Sequence, residues 1–184
     1  MPPATEAYFL TTDCIGFRCW TAEDLPLAVG LWGDPEVMRF IDSRGRLSEE
    51  QVRDRLRREI ATAEAHGVQY WPIFLLSSGD HLGCAGLRPN QLDQGIWEIG
   101  FHLRPAYWRR GYAREAALAV LAHAFERLSV TAVFAGHDPR NASSRCILVG
   151  LGFRYTHDEF YPPTSSLHPS YLLRADEFNR PRGA

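Results

Sequence analysis

The sequence contains no lysine. All 20 basic residues of the 184-residue chain are arginine, which excludes both the lysine of a nucleotide-binding P-loop and the lysine of a Schiff base. The formal net charge is only −2, so there is no overall electrostatic attraction for nucleic acid. No apolar run approaches the roughly 18 residues of a membrane span, and residues 1–4 lack the pattern of a signal peptide. We therefore expect neither nucleic acid nor membrane as a partner.

Motifs for disulfides and metals are also missing. Cys14, Cys19, Cys84 and Cys146 form no CxxC pair, and the seven histidines form no HxxxH or HExxH motif. This spacing predicts reduced thiols in a cytoplasmic protein and no metal site.

The length is typical of one domain. We predict a single domain over residues 1–184, with an ordered core over about residues 10–175 and frayed tails. Alternating apolar residues, turn residues and helix caps predict seven strands and four helices. The strands are predicted at 15–20, 70–76, 82–87, 96–103, 131–135, 153–157 and 170–174, and the helices at 21–33, 48–67, 112–128 and 141–150. A long proline-rich loop is predicted between the last two strands, and long ordered loops are usually functional.

The segment from Glu98 to Ala116 carries the strongest chemical signal. A strand passes through the basic turn Trp108-Arg109-Arg110-Gly111 directly into a long helix. Glycine permits close approach of a ligand, and a helix N-terminus with arginines attracts phosphate. A solvated arginine cluster beside a glycine helix start is the alternative.

These residues resemble a known family. Glu98-Ile99-Gly100-Phe101, the run from Tyr107 to Ala116, Asn141-Ala142-Ser143-Ser144 and Gly152-Phe153 are similar to the motifs of the GCN5-related N-acetyltransferases (GNAT). The similarity is strongest to the ribosomal-protein (RimJ/RimL-type) branch. It implies an α/β (α+β) fold with a mixed, mostly antiparallel sheet of about seven strands, splayed in a V and flanked by about four helices.

The resemblance also implies an acetyl-CoA site. The backbone of Phe101 and Leu103 would pair with the pantetheine arm, Asn141 would bind that arm, and Ser144 would lie near the sulfur. The pyrophosphate would bind the loop and helix start formed by Trp108, Arg109, Arg110, Gly111, Tyr112, Ala113 and Arg114. Arg109 departs from the glycine that the family usually has there.

The resemblance implies acetyl transfer to a primary amine, with two candidate catalytic residues. Glu98 is the candidate base, directly or through water, and Ser144 the candidate proton donor, because Leu148 replaces a tyrosine common in the superfamily. A structural role for Glu98, a helix-start hydroxyl for Ser144 and a plain N-cap for Asn141 stay open. His102, on the same strand face as Glu98, is the reserve base.

The acceptor is not specified by the sequence. A protein N-terminal amine and a small-molecule amine both fit, and a homodimer that helps to cover the acceptor site stays open. Candidate walls of that site are residues 32–40 and 160–169. The alternative function is a non-catalytic acyl-CoA-binding or regulatory module, which Leu148 and Arg109 favour.

Overall fold

One eight-stranded sheet organises the computed structural model, which describes residues 8–178; the predicted frayed tails lie largely outside this range. The strand order is β1-β2-β3-β4-β5-β6-β8-β7. The strands are β1 (Leu10–Thr11), β2 (Ile15–Phe17), β3 (Tyr70–Leu75), β4 (His81–Gln91), β5 (Ile96–Leu103), β6 (Ala132–Gly136), β7 (Arg154–Tyr161) and β8 (Ser166–Arg174). The α-helices are α1 (Leu25–Trp32), α2 (Pro35–Met38), α3 (Glu49–His66), α4 (Tyr112–Arg127) and α5 (Ala142–Gly150).

The sheet is antiparallel except between β5 and β6. These two parallel strands pair only over three residues, from Ile96 with Ala132 to Glu98 with Phe134, and the rest of each strand has no partner in the other. A parallel pair needs a crossover connection, and α4 supplies it. The predicted mixed, V-splayed α/β fold is confirmed. The described residues add the short elements β1 and α2 to the seven strands and four helices expected.

Helices cover both faces of the sheet. Alanines of α4, including Ala116 and Ala117, pack against β4 and β5 in the main core. Their small side chains let the helix lie close to the strands. On the opposite face, α1 and α3 bury a second core around Trp32 and Leu56. The predicted capping box of α3, Ser48 with Gln51, is present, and the helix ends at Gly67 with φ 72°.

The last two strands form a long hairpin. The prediction of a long proline-rich loop there is wrong, because β7 and β8 pair as far as Tyr161 with Ser166. The turn between them is a single 3-10 helix that begins with two prolines, Pro162–Thr164. The pairing of β8 with β6 ends at Ser170, and Pro169 lies just outside it. The N–H that proline lacks therefore costs no hydrogen bond to β6.

His81 makes the stability of the fold sensitive to acid. It is buried between the rings of Trp20 and Phe74, and burial lowers its pKa from 6.5 to about 4. In the unfolded chain His81 is protonated below about pH 6.5, whereas in the folded chain it stays neutral down to about pH 4. The free energy of unfolding therefore decreases as the pH falls from about 6.5 to 4. We expect this loss to reach about 3 kcal/mol.

Denaturant unfolding of wild type and His81→Leu across this pH range measures the effect. The variant should show a flatter pH dependence, whereas replacement of the exposed His157 should leave the wild-type slope. Equal slopes for wild type and His81→Leu would contradict the prediction.

Candidate active site

The parting of β5 and β6 opens a cleft of about 960 Å³. Eleven of the twelve predicted site residues line it: Glu98, Phe101, Leu103, Trp108, Arg109, Gly111, Tyr112, Ala113, Arg114, Asn141 and Ser144. Arg110 is exposed and does not line the cleft. The structure therefore brings the strand, the basic turn and the α5 start to one place, although they are distant in sequence.

The basic turn has the geometry of an anion site. Arg109 and Gly111 both have left-handed backbones, with φ of 60° and 85°. A Cβ on Gly111 would meet nothing within 4 Å, so conformation and not crowding requires glycine there. Gly111 caps α4 without a side-chain hydrogen bond. The first N–H groups of α4 therefore have no intrahelical acceptor, and the positive end of the helix dipole points into the cleft.

The outer half of β5 offers a free backbone edge. Beyond Glu98 its pairing continues on the β4 side, from Ile99 with Leu87 to Leu103 with Gly83, while the β6 side has no partner strand. The Trp108 indole N–H donates to the Leu103 carbonyl at 2.7 Å. This bond ties the basic turn to the strand, and an extended ligand could add to the edge as a further strand would.

The start of α5 forms the opposite wall. Asn141 caps the helix, and its side-chain oxygen accepts a hydrogen bond from the Ser144 N–H at 3.1 Å. Asn141 therefore has the simple N-cap role, and it also lines the cleft. Leu148 is buried in the same wall, so the wall has no hydroxyl at this position.

Glu98 belongs to a buried polar cluster. The Tyr70 hydroxyl donates to Glu98 Oε1 at 3.3 Å, and the guanidinium carbon of Arg88 lies 3.9 Å from the Tyr70 ring centroid. Burial raises the pKa of Glu98, while the Arg88 charge and the Tyr70 hydrogen bond oppose that rise. Arg88 is paired with Glu59 of α3. A half-buried carboxylate with a raised pKa is a stronger base than an exposed one.

Tyr70, Arg88 and Glu59 were not singled out by sequence analysis. Gly100 leaves space for Tyr70, because a Cβ at this position would lie 2.5 Å from the Tyr70 hydroxyl oxygen. The glycine of the Glu-Ile-Gly-Phe motif thus lets a tyrosine from another strand reach Glu98. Arg88 lies directly opposite Glu98 in the β4–β5 register. The predicted strand 82–87 stops one residue short of Arg88, and the register that places Arg88 opposite Glu98 comes from the structure.

Two other polar residues of the motif region have structural partners. The Trp32 indole N–H donates to His102 Nδ1 at 3.2 Å, and burial holds the pKa of His102 well below its ordinary value, so the ring is neutral. Glu115 accepts hydrogen bonds from the Cys14 N–H and the Thr12 hydroxyl, which ties α4 to the first hairpin. His102 lines the cleft whereas Glu115 does not, and the Trp32 hydrogen bond occupies the His102 Nδ1.

Metal and membrane features are absent from residues 8–178. This part of the chain has no group of three or more His, Cys, Asp or Glu side chains that could hold a metal ion. Over the same range, no helix is both long and apolar enough to cross a membrane. All four cysteines are free.

Known proteins resemble this chain in sequence and fold. Residues 15–154 match the family described as Acetyltransferase (GNAT) domain. The uncharacterized protein YkkB of Bacillus subtilis (strain 168) is 31% identical over 149 residues, which are 80% of this chain and 86% of that protein. The uncharacterized N-acetyltransferase p20 of Bacillus licheniformis is 24% identical over 79% of this chain and 82% of its own. The structure of RimL, a ribosomal L7/L12 alpha-N-protein acetyltransferase, in complex with coenzyme A has the same fold, with a TM-score of 0.79 at 13% identity over 93% of this chain and 99% of that chain.

Proposed function

The chain belongs to the acetyltransferase (GNAT) domain family, and we propose that it transfers the acetyl group of acetyl-CoA to a primary amine in a ternary complex. The cleft between β5 and β6 carries this proposal, because an anion-binding turn, a free strand edge and a half-buried carboxylate all face it. The acceptor is a protein N-terminal amine or a small-molecule amine. The four free thiols are typical of a reducing compartment, so we propose the cytoplasm as the location.

The cleft fits acetyl-CoA, which supplies an activated acetyl thioester when bound. The uncapped N–H groups of α4 and the Arg109 and Arg114 side chains would hold the pyrophosphate. The free edge of β5 at Phe101 and Leu103, with the Asn141 amide, would hold the pantetheine arm. Tyr112 and Ala113 line the same wall, and Arg110 would reach the phosphates only from outside the cleft.

Glu98 and Ser144 would move the protons. An attacking amine must be neutral, so Glu98 takes its proton, directly or through a water. The Tyr70 hydroxyl holds the carboxylate in place by donating to Oε1. Ser144, half-buried at the start of α5 and facing the cleft, would give a proton to the departing sulfur. The first turn of α5 has a positive dipole end, which favours negative charge there.

Removal of the Arg114 guanidinium should weaken acetyl-CoA binding. Arg114→Ala deletes one charge-assisted contact, so we expect a loss of about 1.5–3 kcal/mol, or roughly 10- to 100-fold in Kd. Isothermal calorimetry measures it. Arg127→Ala, an exposed residue in the last turn of the same helix, is the matched control and should bind as wild type does. An unchanged Kd for Arg114→Ala would contradict this part of the proposal.

A thiol-release assay on a panel of amines tests the whole function. Peptides, polyamines, aminoglycosides and amino acids, each with acetyl-CoA, should include at least one acceptor that produces free coenzyme A. If acetyl-CoA binds and no amine is acetylated, the chain is the non-catalytic acyl-CoA-binding module. If acetyl-CoA produces neither heat nor a thermal shift, both functions are excluded.

A further inference from the structure

Arg55 of α3 is a half-buried cation without a direct ion-pair partner among the described residues. Its Nε has no access to solvent and no hydrogen-bond partner, and among residues 8–178 its guanidinium makes neither a hydrogen bond nor an ion pair. Its contact is with the Trp32 ring, whose centroid lies 4.5 Å from the guanidinium carbon. Arginine does not lose its proton in proteins, so the guanidinium stays charged and has no direct hydrogen-bonding or ion-pair partner in this part of the chain.

The nearby acids are engaged elsewhere. Glu59, one helical turn after Arg55, pairs with Arg88 and accepts the Tyr70 backbone N–H at 3.0 Å. Asp42 accepts two side-chain hydrogen bonds from Arg44, at 2.8 and 2.5 Å. Arg55 lines the cleft together with Glu98, and it also lines a smaller cavity next to Glu59 and Arg88.

A series of side-chain contacts connects Arg55 with Glu98, the candidate base. Trp32, on which it stacks, donates to His102 at 3.2 Å, and the His102 and Tyr70 rings are 5.7 Å apart. Tyr70 in turn donates to Glu98. Arg55 and Glu98 both line the cleft, so one acceptor could present an anion to Arg55 and its amine to Glu98.

We propose that Arg55 binds a carboxylate of the acceptor, which is a small amine of the amino-acid type with a free carboxylate. This inference rests on the proposed acetyl transfer and names its substrate class. A single open guanidinium matches a planar monoanion, which it binds through two parallel hydrogen bonds. A phosphate dianion fits less well, because Glu98 and Glu159 face the same cleft. A protein N-terminus does not fit, because the α-carboxyl group of its first residue is part of a peptide bond and carries no charge.

Matched acceptors and variants test this assignment. Each standard L-amino acid is compared with its carboxamide and its decarboxylated amine in the thiol-release assay. We expect wild type to prefer the free carboxylate by about 10- to 100-fold in kcat/KM, and Arg55→Met to lose that preference mainly through KM. Arg55→Lys should restore part of it. Arg57→Met, an exposed residue on the same helix, should keep the wild-type preference, and thermal unfolding checks that each variant folds.

A binding measurement separates this inference from the proposed reaction. N-acetyl-amino acids carry the carboxylate but no reactive amine, and they should stabilise wild type and not Arg55→Met in thermal unfolding. If they do so while no amine is acetylated, the carboxylate site stands and the reaction is wrong. If amines without a carboxylate, phosphorylated amines or peptide N-termini are preferred equally by wild type and Arg55→Met, the carboxylate site is wrong and acetyl transfer stands.

Discussion

Replacing Glu98 with glutamine is expected to lower kcat by roughly 10²- to 10⁴-fold, with little change in the affinity for acetyl-CoA. Glutamine keeps the size and the hydrogen bond from Tyr70 but cannot take a proton, and a positioned general base contributes about this factor. Because Glu98 faces the acceptor amine in the proposal and not the pyrophosphate, the cofactor should bind as before. Steady-state kinetics with a proven acceptor and calorimetry with acetyl-CoA measure the two effects.

The pH profile provides an independent readout of the same residue. Burial raises the pKa of Glu98, so wild-type activity should rise with pH through an apparent pKa above the ordinary carboxyl range, and the variant should lose that limb. Asp93→Asn, which alters an exposed carboxylate beside β5, is the control and should retain both kcat and profile. A Glu98→Gln enzyme with wild-type kcat would remove Glu98 from the mechanism.

Replacing Glu59 with glutamine is expected to destabilise the fold by about 1.5–3 kcal/mol, because Arg88, whose side chain is 35% exposed, loses its carboxylate partner. Glu59 is 1% exposed. One of its oxygens pairs with Arg88, and the other accepts the Tyr70 N–H, so the substitution also affects the hydrogen bond that joins α3 to β3. Denaturant unfolding gives the free-energy difference.

A double variant tests the cause of that loss. Glu59→Gln with Arg88→Met removes both charges, and it should recover a large part of the stability, since the penalty belongs to the unpaired cation. Glu64→Gln, on the solvent face of the same helix, should change the free energy of unfolding by less than about 0.5 kcal/mol. If Glu59→Gln is no more damaging than Glu64→Gln, the pair does not support the fold.

Much of the architecture could be predicted from local patterns. The alternation in β5, the glycine at position 111 and the long apolar face of α4 are properties of neighbouring residues, and β5 and the start of α4 lie where predicted. The length of the β7–β8 hairpin was underestimated, because its prolines suggested a loop. In the structure the prolines lie at the turn and outside the part of β8 that pairs with β6, so the two strands can still pair with each other.

The sequence by itself determined the fold class, the family and the segments around the cleft, because backbone conformation and amphipathic period are encoded locally. The surroundings of Glu98 were decided by tertiary structure. Tyr70, Arg88 and Arg55 come from two strands and a helix, and no spacing along the chain reveals that they meet. Their ionisation and pairing depend on burial and on distances across the sheet, which arise only when the layers pack.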